Sequence, residues 1–168
     1  MIKFENVSVT YPGGVEALKD LNLEIKDGDF IIIVGLSGAG KSTLLRTVNN
    51  LVKPSTGSVY LEGKNVTSAK KKELKKIRSQ IGMIFQTFNL VNRSTVLKNV
   101  LTGRLSNIST IRSILGLWPK DQKEMAFEAL NQVEILEKAY VRASNLSGGQ
   151  QQRVGIARAL SQKPKVML

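Results

Sequence analysis

Residues 30–45 read FIIIVGLSGAGKSTLL, and the fold turns on them. Phe30 to Val34 are apolar without polar alternation, the pattern of a strand buried on both faces of a parallel sheet. Gly35, Gly38 and Gly40 break that run. Lys41, Ser42 and Thr43 then open a helix whose apolar positions Leu44, Leu45, Val48, Leu51 and Val52 recur at helical spacing. The order is strand, glycine loop, helix, and Gly35 to Ser42 fit GxxxxGK followed by Ser or Thr. Glycines let successive backbone N–H groups turn inward around phosphate oxygens without side chains in the way. The helix N-terminus adds free donors and a positive dipole end. Gly35, Ser37, Gly38, Ala39 and Gly40 are therefore candidate phosphate contacts. Lys41 would reach the β and γ phosphates as a point charge, the Ser42 hydroxyl would ligate Mg2+, and Thr43 would back up the phosphate contacts. A glycine turn joining a core strand to a core helix is the plainer alternative. At average glycine usage the pattern arises in about one chain of this length in two hundred, so the flanking strand and helix carry the weight. They point to a nucleoside triphosphate site.

A chain of 168 residues, 42% hydrophobic, has an ordinary globular composition with room for one substantial core or for a domain with a subdomain. No apolar run approaches the length needed to span a bilayer, and the opening residues MIKFENVSVTYPGG lack the basic-then-apolar order of a signal peptide. A cytoplasmic location is expected. The absence of cysteine excludes disulfides and thiolate metal sites and fits a reducing compartment. The net charge of +12, from 25 Lys and Arg against 13 Asp and Glu, raises a nucleic-acid reading. Part of the excess lies in Lys70 to Arg78, KKKELKKIR, where Leu74, Ile77 and Ile81 recur at helix-like spacing. A surface helix with a solvated basic face is favoured there over a phosphate-backbone patch. No aromatic residue is interleaved with these lysines, and the chain has no helix-turn-helix or zinc-finger pattern.

Ile2 to Thr10 is strand-like, and Leu21, Leu23 and Ile25 alternate in a second strand. Tyr11, Pro12, Gly13 and Gly14 form the turn between them, which leaves Tyr11 at a strand end. Such a ring can stack a base for about 1–3 kcal/mol, although a tyrosine in that place is also ordinary packing. Pro54 to Gly57 make a turn, Val59 to Glu62 a short strand closed by Gly63, and Ile81 to Phe85 a buried strand ending on Gln86, by itself only a polar terminus. From Asn89 the pattern turns helical. Ser94 is the expected N-cap before Val96, Leu97, Val100 and Leu101, and Asp121 opens a longer helix carrying Ala126, Leu130 and Val133. Ile108 to Pro119, between them, is apolar without a clear cap. Residues 89–145 are thus expected to form a helical subdomain. Leu146, Ser147, Gly148, Gly149 and Gln150 follow, with a helix through Val154, Ala157 and Leu160. Ser147 caps this helix, and the glycines leave backbone donors open to an anion. At ordinary usage those five residues in a row occur in on the order of one chain in several thousand, which sets them apart from a common glycine-bearing helix start.

Both motifs together resemble the ATP-binding subunit of ABC transporters. Gly35 to Ser42 is similar to that family's Walker A loop, Leu146 to Gln150 to its signature sequence, Tyr11 to its adenine-stacking aromatic, and Gln86 to the glutamine between core and helical subdomain. The resemblance runs in order over nearly the whole chain. It implies an α/β fold: a P-loop NTPase (RecA-like) core with an N-terminal antiparallel β-subdomain and a helical signature subdomain. The division would be 1–88 for β-subdomain and core, 89–145 for the helical subdomain, and 146–168 for the signature helix and the start of the Walker B strand. It implies ATP and Mg2+ as cofactors, Lys41 and Gln86 as catalytic residues, and Ser42 and Gln86 as metal ligands. It implies a head-to-tail homodimer in which Ser147 and the backbone N–H of Gly149 face the γ-phosphate held by the partner subunit's Lys41, with Gly148 and Gln150 as further nucleotide-binding residues of the signature. Transmembrane permease subunits and a solute-binding protein would complete the complex at the inner face of the membrane, with no direct nucleic-acid partner.

Phe88 to Leu105, FNLVNRSTVLKNVLTGRL, and Ser113 to Leu130, SILGLWPKDQKEMAFEAL, resemble the ATPases of phosphonate importers, with departures that include Asn92 and Ser94. Importers of amino acids or other small anions stay open. In the family, a strand like Lys165 to Leu168 leads to an aspartate that holds Mg2+ and a glutamate that acts as general base. The expectation is therefore a core incomplete at the C-terminus, with residues 165–168 as an unpaired apolar edge or a ragged end, favouring aggregation or partial disorder. Such a chain would bind nucleotide weakly and hydrolyse it negligibly, since a general base contributes typically 10² to 10⁴ in rate. A non-transport ATPase of the same type acting on nucleic acid or ribosomes, and a binding-only fragment, are the competing readings.

Overall fold

The computed structural model describes residues 1–168 as two compact units, Met1–Arg78 and Ser79–Leu168. In the first unit β1 (Ile2–Thr10) lies between β2 (Glu16–Ile25) and β3 (Thr56–Leu61) in an antiparallel sheet of order β2-β1-β3-β4. Along β1 the buried residues are Ile2 and Phe4, then Val7 and Val9, so the alternation changes phase in mid-strand. Asn6, at φ 48°, sits where the register to β2 shifts between Phe4 and Val7. The extra residue of a bulge keeps both apolar pairs on one face. Val59 and Leu61 of β3 cover the same core. Glu62 and Gly63, both at positive φ, turn the chain into β4 (Lys64–Asn65), a short hairpin strand that the sequence pattern does not signal.

The helix after the glycine loop, α1 (Lys41–Val48), is shorter than its apolar spacing predicts. Asn49 caps it and Asn50 takes φ 53°, a conformation asparagine tolerates, so Leu51 and Val52 lie outside the helix. Arg78 secures that end by donating from Nε to the Asn49 carbonyl and from a terminal nitrogen to the Asn50 carbonyl, each at 2.9 Å. Arg78 ends α2 (Lys71–Arg78), whose Ile77 is buried while Lys71, Lys72, Lys75 and Lys76 face solvent. That is the solvated basic helix expected from KKKELKKIR.

Phe30 to Val34 do not form the expected buried strand. They join no ladder, and Phe30 is 87% and Val34 86% exposed. An apolar run becomes a strand only when neighbours supply ladder partners and a cover, and the sheet of this unit is built from β1 to β4 alone.

In the second unit, β5 (Ile81–Gly82) pairs in parallel with β6 (Val166–Met167). The strand is shorter than the expected 81–85, although the Ile84 N–H still donates to the Leu168 carbonyl at 2.9 Å. Residues 165–168 are accordingly paired along one side rather than left as a bare edge. The helix α3 (Val96–Leu101) is capped by Thr95, whose hydroxyl accepts from the Lys98 N–H at 3.3 Å, and not by Ser94. The Ser94 carbonyl instead accepts from the Ala143 N–H at 3.0 Å, so its backbone serves a tertiary contact. A 3-10 segment, Thr102–Asn107, leads to α4 (Thr110–Ile114), capped by Ser109 within the stretch that showed no clear cap. Then α5 (Lys120–Gln132) begins one residue ahead of Asp121, and α6 (Gly148–Ser161) follows. Val96, Val100 and Leu101 of α3, Ala126 and Leu130 of α5, and Val154 and Ala157 of α6 form one buried cluster. The alanines let the three helices approach closely. Closest is Gly103, where a Cβ would stand 2.3 Å from the Arg158 carbonyl oxygen.

Candidate nucleotide-binding site

Tyr11 and Gly35 to Thr43 lie in the first unit. Gly40 is the N-cap of α1 at φ 83°, ψ 0°, and supplies no side-chain hydrogen bond. A Cβ there would lie 2.1 Å from the Ala17 carbonyl oxygen, so β2 leaves room for glycine alone where the loop enters the helix. Gly38 also takes φ 83°, and the Ala39 N–H closes a turn on the Leu36 carbonyl at 3.2 Å. The first helical bond runs from the Leu44 N–H to the Gly40 carbonyl at 2.9 Å. The N–H groups of Lys41, Ser42 and Thr43 thus precede the helical ladder, and the first turn carries no acidic residue to offset its positive dipole end.

Lys41 folds back over the loop, donating from Nζ to the carbonyls of Gly35 at 2.7 Å and Leu36 at 2.6 Å. Ser37, Ala39 and Ser42 are exposed, as are Gly35 and Gly38. Thr43 is buried, and its hydroxyl makes a 3.1 Å hydrogen bond with the Tyr11 hydroxyl. The backbone of Tyr11 is held by a turn in which its N–H donates to the Val15 carbonyl at 2.9 Å and its carbonyl accepts from the Gly14 N–H at 3.1 Å. Folding has therefore joined Tyr11 to the first turn of α1, a contact that sequence spacing does not reveal.

Gln86 and Ser147 to Gln150 belong to the second unit. Ser147 caps α6 in a reciprocal box: its hydroxyl accepts from the Gln150 N–H at 3.4 Å, and the Gln150 side chain accepts from the Ser147 N–H at 3.0 Å. Gly148 and Gly149 have open space where a Cβ would stand, so backbone donors at this helix start are approachable. Leu146, buried in the helical cluster, anchors the segment from behind. Gln86 is exposed. Just after it, Phe88 and Asn89 adopt φ 55° and 48°, and the Arg158 guanidinium of α6 donates to both of their carbonyls, to Asn89 at 2.9 Å. Burial pushes the Arg158 pKa below its usual value. Arg158 thus ties the chain beyond Gln86 to the helix that begins at Ser147. Sequence reasoning missed it; the one signal is an arginine among the apolar residues of Ile156-Ala157-Arg158-Ala159.

No three His, Cys, Asp or Glu side chains are grouped to hold a metal. The loop nevertheless fits a phosphate chain: a cradle at Gly40 that any Cβ would fill, N–H groups ahead of the helical ladder, and an ammonium folded over it. An exposed Ser42 hydroxyl fits Mg2+, which takes one or two protein oxygens and leaves its other positions to phosphate and water.

A glycine loop feeding α1, an antiparallel β-subdomain beside it, and a second glycine-bearing helix start on a helical bundle define an α/β nucleotide-binding cassette of the P-loop NTPase fold. Residues 18–168 match the ABC transporter family, and the chain belongs to it as an ATP-binding domain. It is 59% identical over all 168 of its residues to the phosphonates import ATP-binding protein PhnC of Bacillus thuringiensis subsp. konkukian, and 53% to PhnC 3 of Halalkalibacterium halodurans. It spans 65% of the length of each of these two relatives. The structure superposes on the ATP-binding cassette MJ0796, solved as a dimer in a post-hydrolysis state bound to ADP and Pi, with a TM-score of 0.87 and 39% identity. That match covers 99% of this chain and 72% of the other. Cassette cbiO1 of Clostridium perfringens, part of the transporter complex cbiONQ, gives a TM-score of 0.81 at 32% identity, covering 99% of this chain and 63% of that one.

Proposed function

We propose that this chain is the nucleotide-binding part of an ATPase that powers an ABC importer of phosphonates. The observation that carries the reading is the entry of the glycine loop into α1, where Gly40 fits under the Ala17 carbonyl only as glycine and Lys41 folds over the loop. Gly35, Ser37, Gly38, Ala39 and Gly40 line the path of the phosphates, Lys41 neutralises the β and γ oxygens, and Thr43 stands behind them. The Ser42 hydroxyl and Gln86 would hold Mg2+, which would supply charge neutralisation for the phosphates. Tyr11 stacks on the adenine. Lys41 and Gln86 serve the hydrolytic step by fixing the γ-phosphate and the metal.

In this reading Ser147, Gly148, Gly149 and Gln150 complete the nucleotide site of a second copy, so that ATP binding and dimerisation reinforce each other. The dimeric MJ0796 cassette supports that arrangement. The assembly includes transmembrane permease subunits and a solute-binding protein, at the inner face of the cell membrane. No helix of this chain is long and apolar enough to cross a membrane itself. The phosphonate assignment rests on the names and 53–59% identities of the relatives; the transported solute does not touch this subunit.

Two measurements test the reading. Titration of the full-length protein with ATP and Mg2+ gives saturable binding that Lys41→Ala removes; equal binding by both proteins overturns the site. Deletion of the gene abolishes growth on a phosphonate as the phosphorus source, and the intact gene, but not the Lys41→Ala gene, restores it. Normal growth of the deletion strain on phosphonates overturns the substrate.

A further inference from the structure

Tyr11 is fixed at both ends. Its backbone is held by the bonds to Val15 and Gly14, and its phenol by the 3.1 Å bond to Thr43. Tyr11 as a whole stays 37% exposed, while Thr43 is 8% exposed and sits in the first turn of α1 beside Lys41 and Ser42. A buried threonine hydroxyl requires a partner, and here that partner belongs to an aromatic ring on a different element. We propose that Thr43 is a positioning residue for the nucleobase: through its hydrogen bond to the Tyr11 phenol it holds the ring ready to stack.

The inference rests on the nucleotide reading above and adds a link between the two halves of recognition. An aromatic side chain that must be immobilised on binding loses rotamer freedom, and one already held loses little. Without the bond to Thr43 the ring would pivot about its turn, and stacking would have to order it. The threonine oxygen has one donor and two acceptor sites, so holding the phenol does not exhaust it. Because Thr43 follows Lys41 and Ser42 on the same turn, the bond also sets the ring at a fixed place relative to the helix start that receives the phosphates. The Tyr11 contribution is therefore specific to ligands that carry a base.

The experiment is calorimetric titration of the full-length protein, with Mg2+, against ATP and against tripolyphosphate, which has the phosphates but no base. The proteins are the unsubstituted chain, Tyr11→Phe, Thr43→Val, Thr43→Ser and Tyr11→Phe/Thr43→Val. Tyr11→Phe keeps the ring and removes only the hydroxyl. The expected result is ATP binding weakened about threefold to tenfold in Tyr11→Phe and in Thr43→Val. In the ratio of ATP to tripolyphosphate affinity, the double variant is expected to lose no more than either single one, and Thr43→Ser to recover the original value. Tripolyphosphate affinity is unchanged in Tyr11→Phe, which also shows that the loop remains folded. The inference is overturned if Tyr11→Phe binds ATP as the unsubstituted protein does. It is equally overturned if the losses in ATP affinity relative to tripolyphosphate add, or if Thr43→Val leaves that ratio unchanged, which would make the hydroxyl a phosphate contact alone. Failure of the unsubstituted protein to bind either ligand would sink the nucleotide reading itself, a distinct outcome.

Discussion

Single residues set the geometry of both motifs. Gly40 carries two constraints at once, a positive φ and a carbonyl oxygen 2.1 Å from where a Cβ would stand. Gly40→Ala must therefore move β2 or unwind the start of α1. A destabilisation of about 1–3 kcal/mol is expected, read from the urea midpoint, together with loss of ATP binding. The Lys41 side chain bonds only to carbonyls of its own loop, so Lys41→Ala should remove ATP binding with a much smaller shift in that midpoint. At the other motif, Ser147→Ala deletes the hydroxyl that accepts from the Gln150 N–H and leaves only the other half of the box, the bond from the backbone N–H of residue 147 to the Gln150 side chain. The expected cost is about 1 kcal/mol in unfolding free energy, with fraying confined to the first turn of α6 and visible as faster amide exchange there. The capping role of Ser147 was legible because a serine three residues ahead of a glutamine is a local pattern. The Thr95 cap was not, since Ser94 and Thr95 are equivalent as sequence and only the tertiary bond from Ala143 to the Ser94 carbonyl separates them.

At the scale of elements, α6 is where the second unit is knit together. Arg158 holds the carbonyls of Phe88 and Asn89, and Arg104, 4% exposed, donates at 2.8 Å both to the Gln122 side chain of α5 and to the Ser161 carbonyl at the end of α6. Both guanidinium groups have their pKa lowered by burial, and both are satisfied mainly by neutral oxygens. Arg158→Met should release the segment after Gln86. The expectation is about 1–3 kcal/mol lost from the stability of this unit and faster amide exchange over residues 86–90, with little change at α5. Gly103→Ala tests the packing against the same helix. Its Cβ would meet the Arg158 carbonyl oxygen at 2.3 Å and the Ser161 hydroxyl at 2.7 Å, so the 3-10 segment must back away from α6 and the melting temperature should fall. Helical spacing placed α3, α5 and α6 within a residue or two. The arginines that join them pair with backbone carbonyls distant in sequence, which no local pattern encodes.

At the scale of the molecule, the net charge of +12 is spread over solvent-facing side chains, with Lys71, Lys72, Lys75 and Lys76 on one exposed helix. Such an excess repels itself, and the Debye length shrinks from about 30 Å at 0.01 M salt to about 8 Å at 0.15 M. Melting temperature should therefore rise with sodium chloride over that range. A flat or falling dependence would show that the charges are already compensated. The same scale explains the largest departure from expectation. Phe30 to Val34 has the composition of a central strand, yet it is exposed and unpaired, whereas Lys165 to Leu168, expected as a bare edge, found a parallel partner in residues 80–84.

The sequence by itself determined the local chemistry: the glycine loop with its lysine, the capped helix start at Ser147, the antiparallel strands of the first unit and the apolar stripes of the main helices. Each follows from periodicity or from a motif whose residues are adjacent, so the cause lies within a few residues of the effect. Tertiary structure decided which elements are completed and which side chains meet. A strand exists only with a ladder partner, which left residues 30–34 without one. The Tyr11–Thr43 bond, the Arg158 clasp on Phe88 and Asn89, and the close approach of Gly103 to α6 join residues far apart in the chain. Their energies depend on distances that only the folded backbone sets.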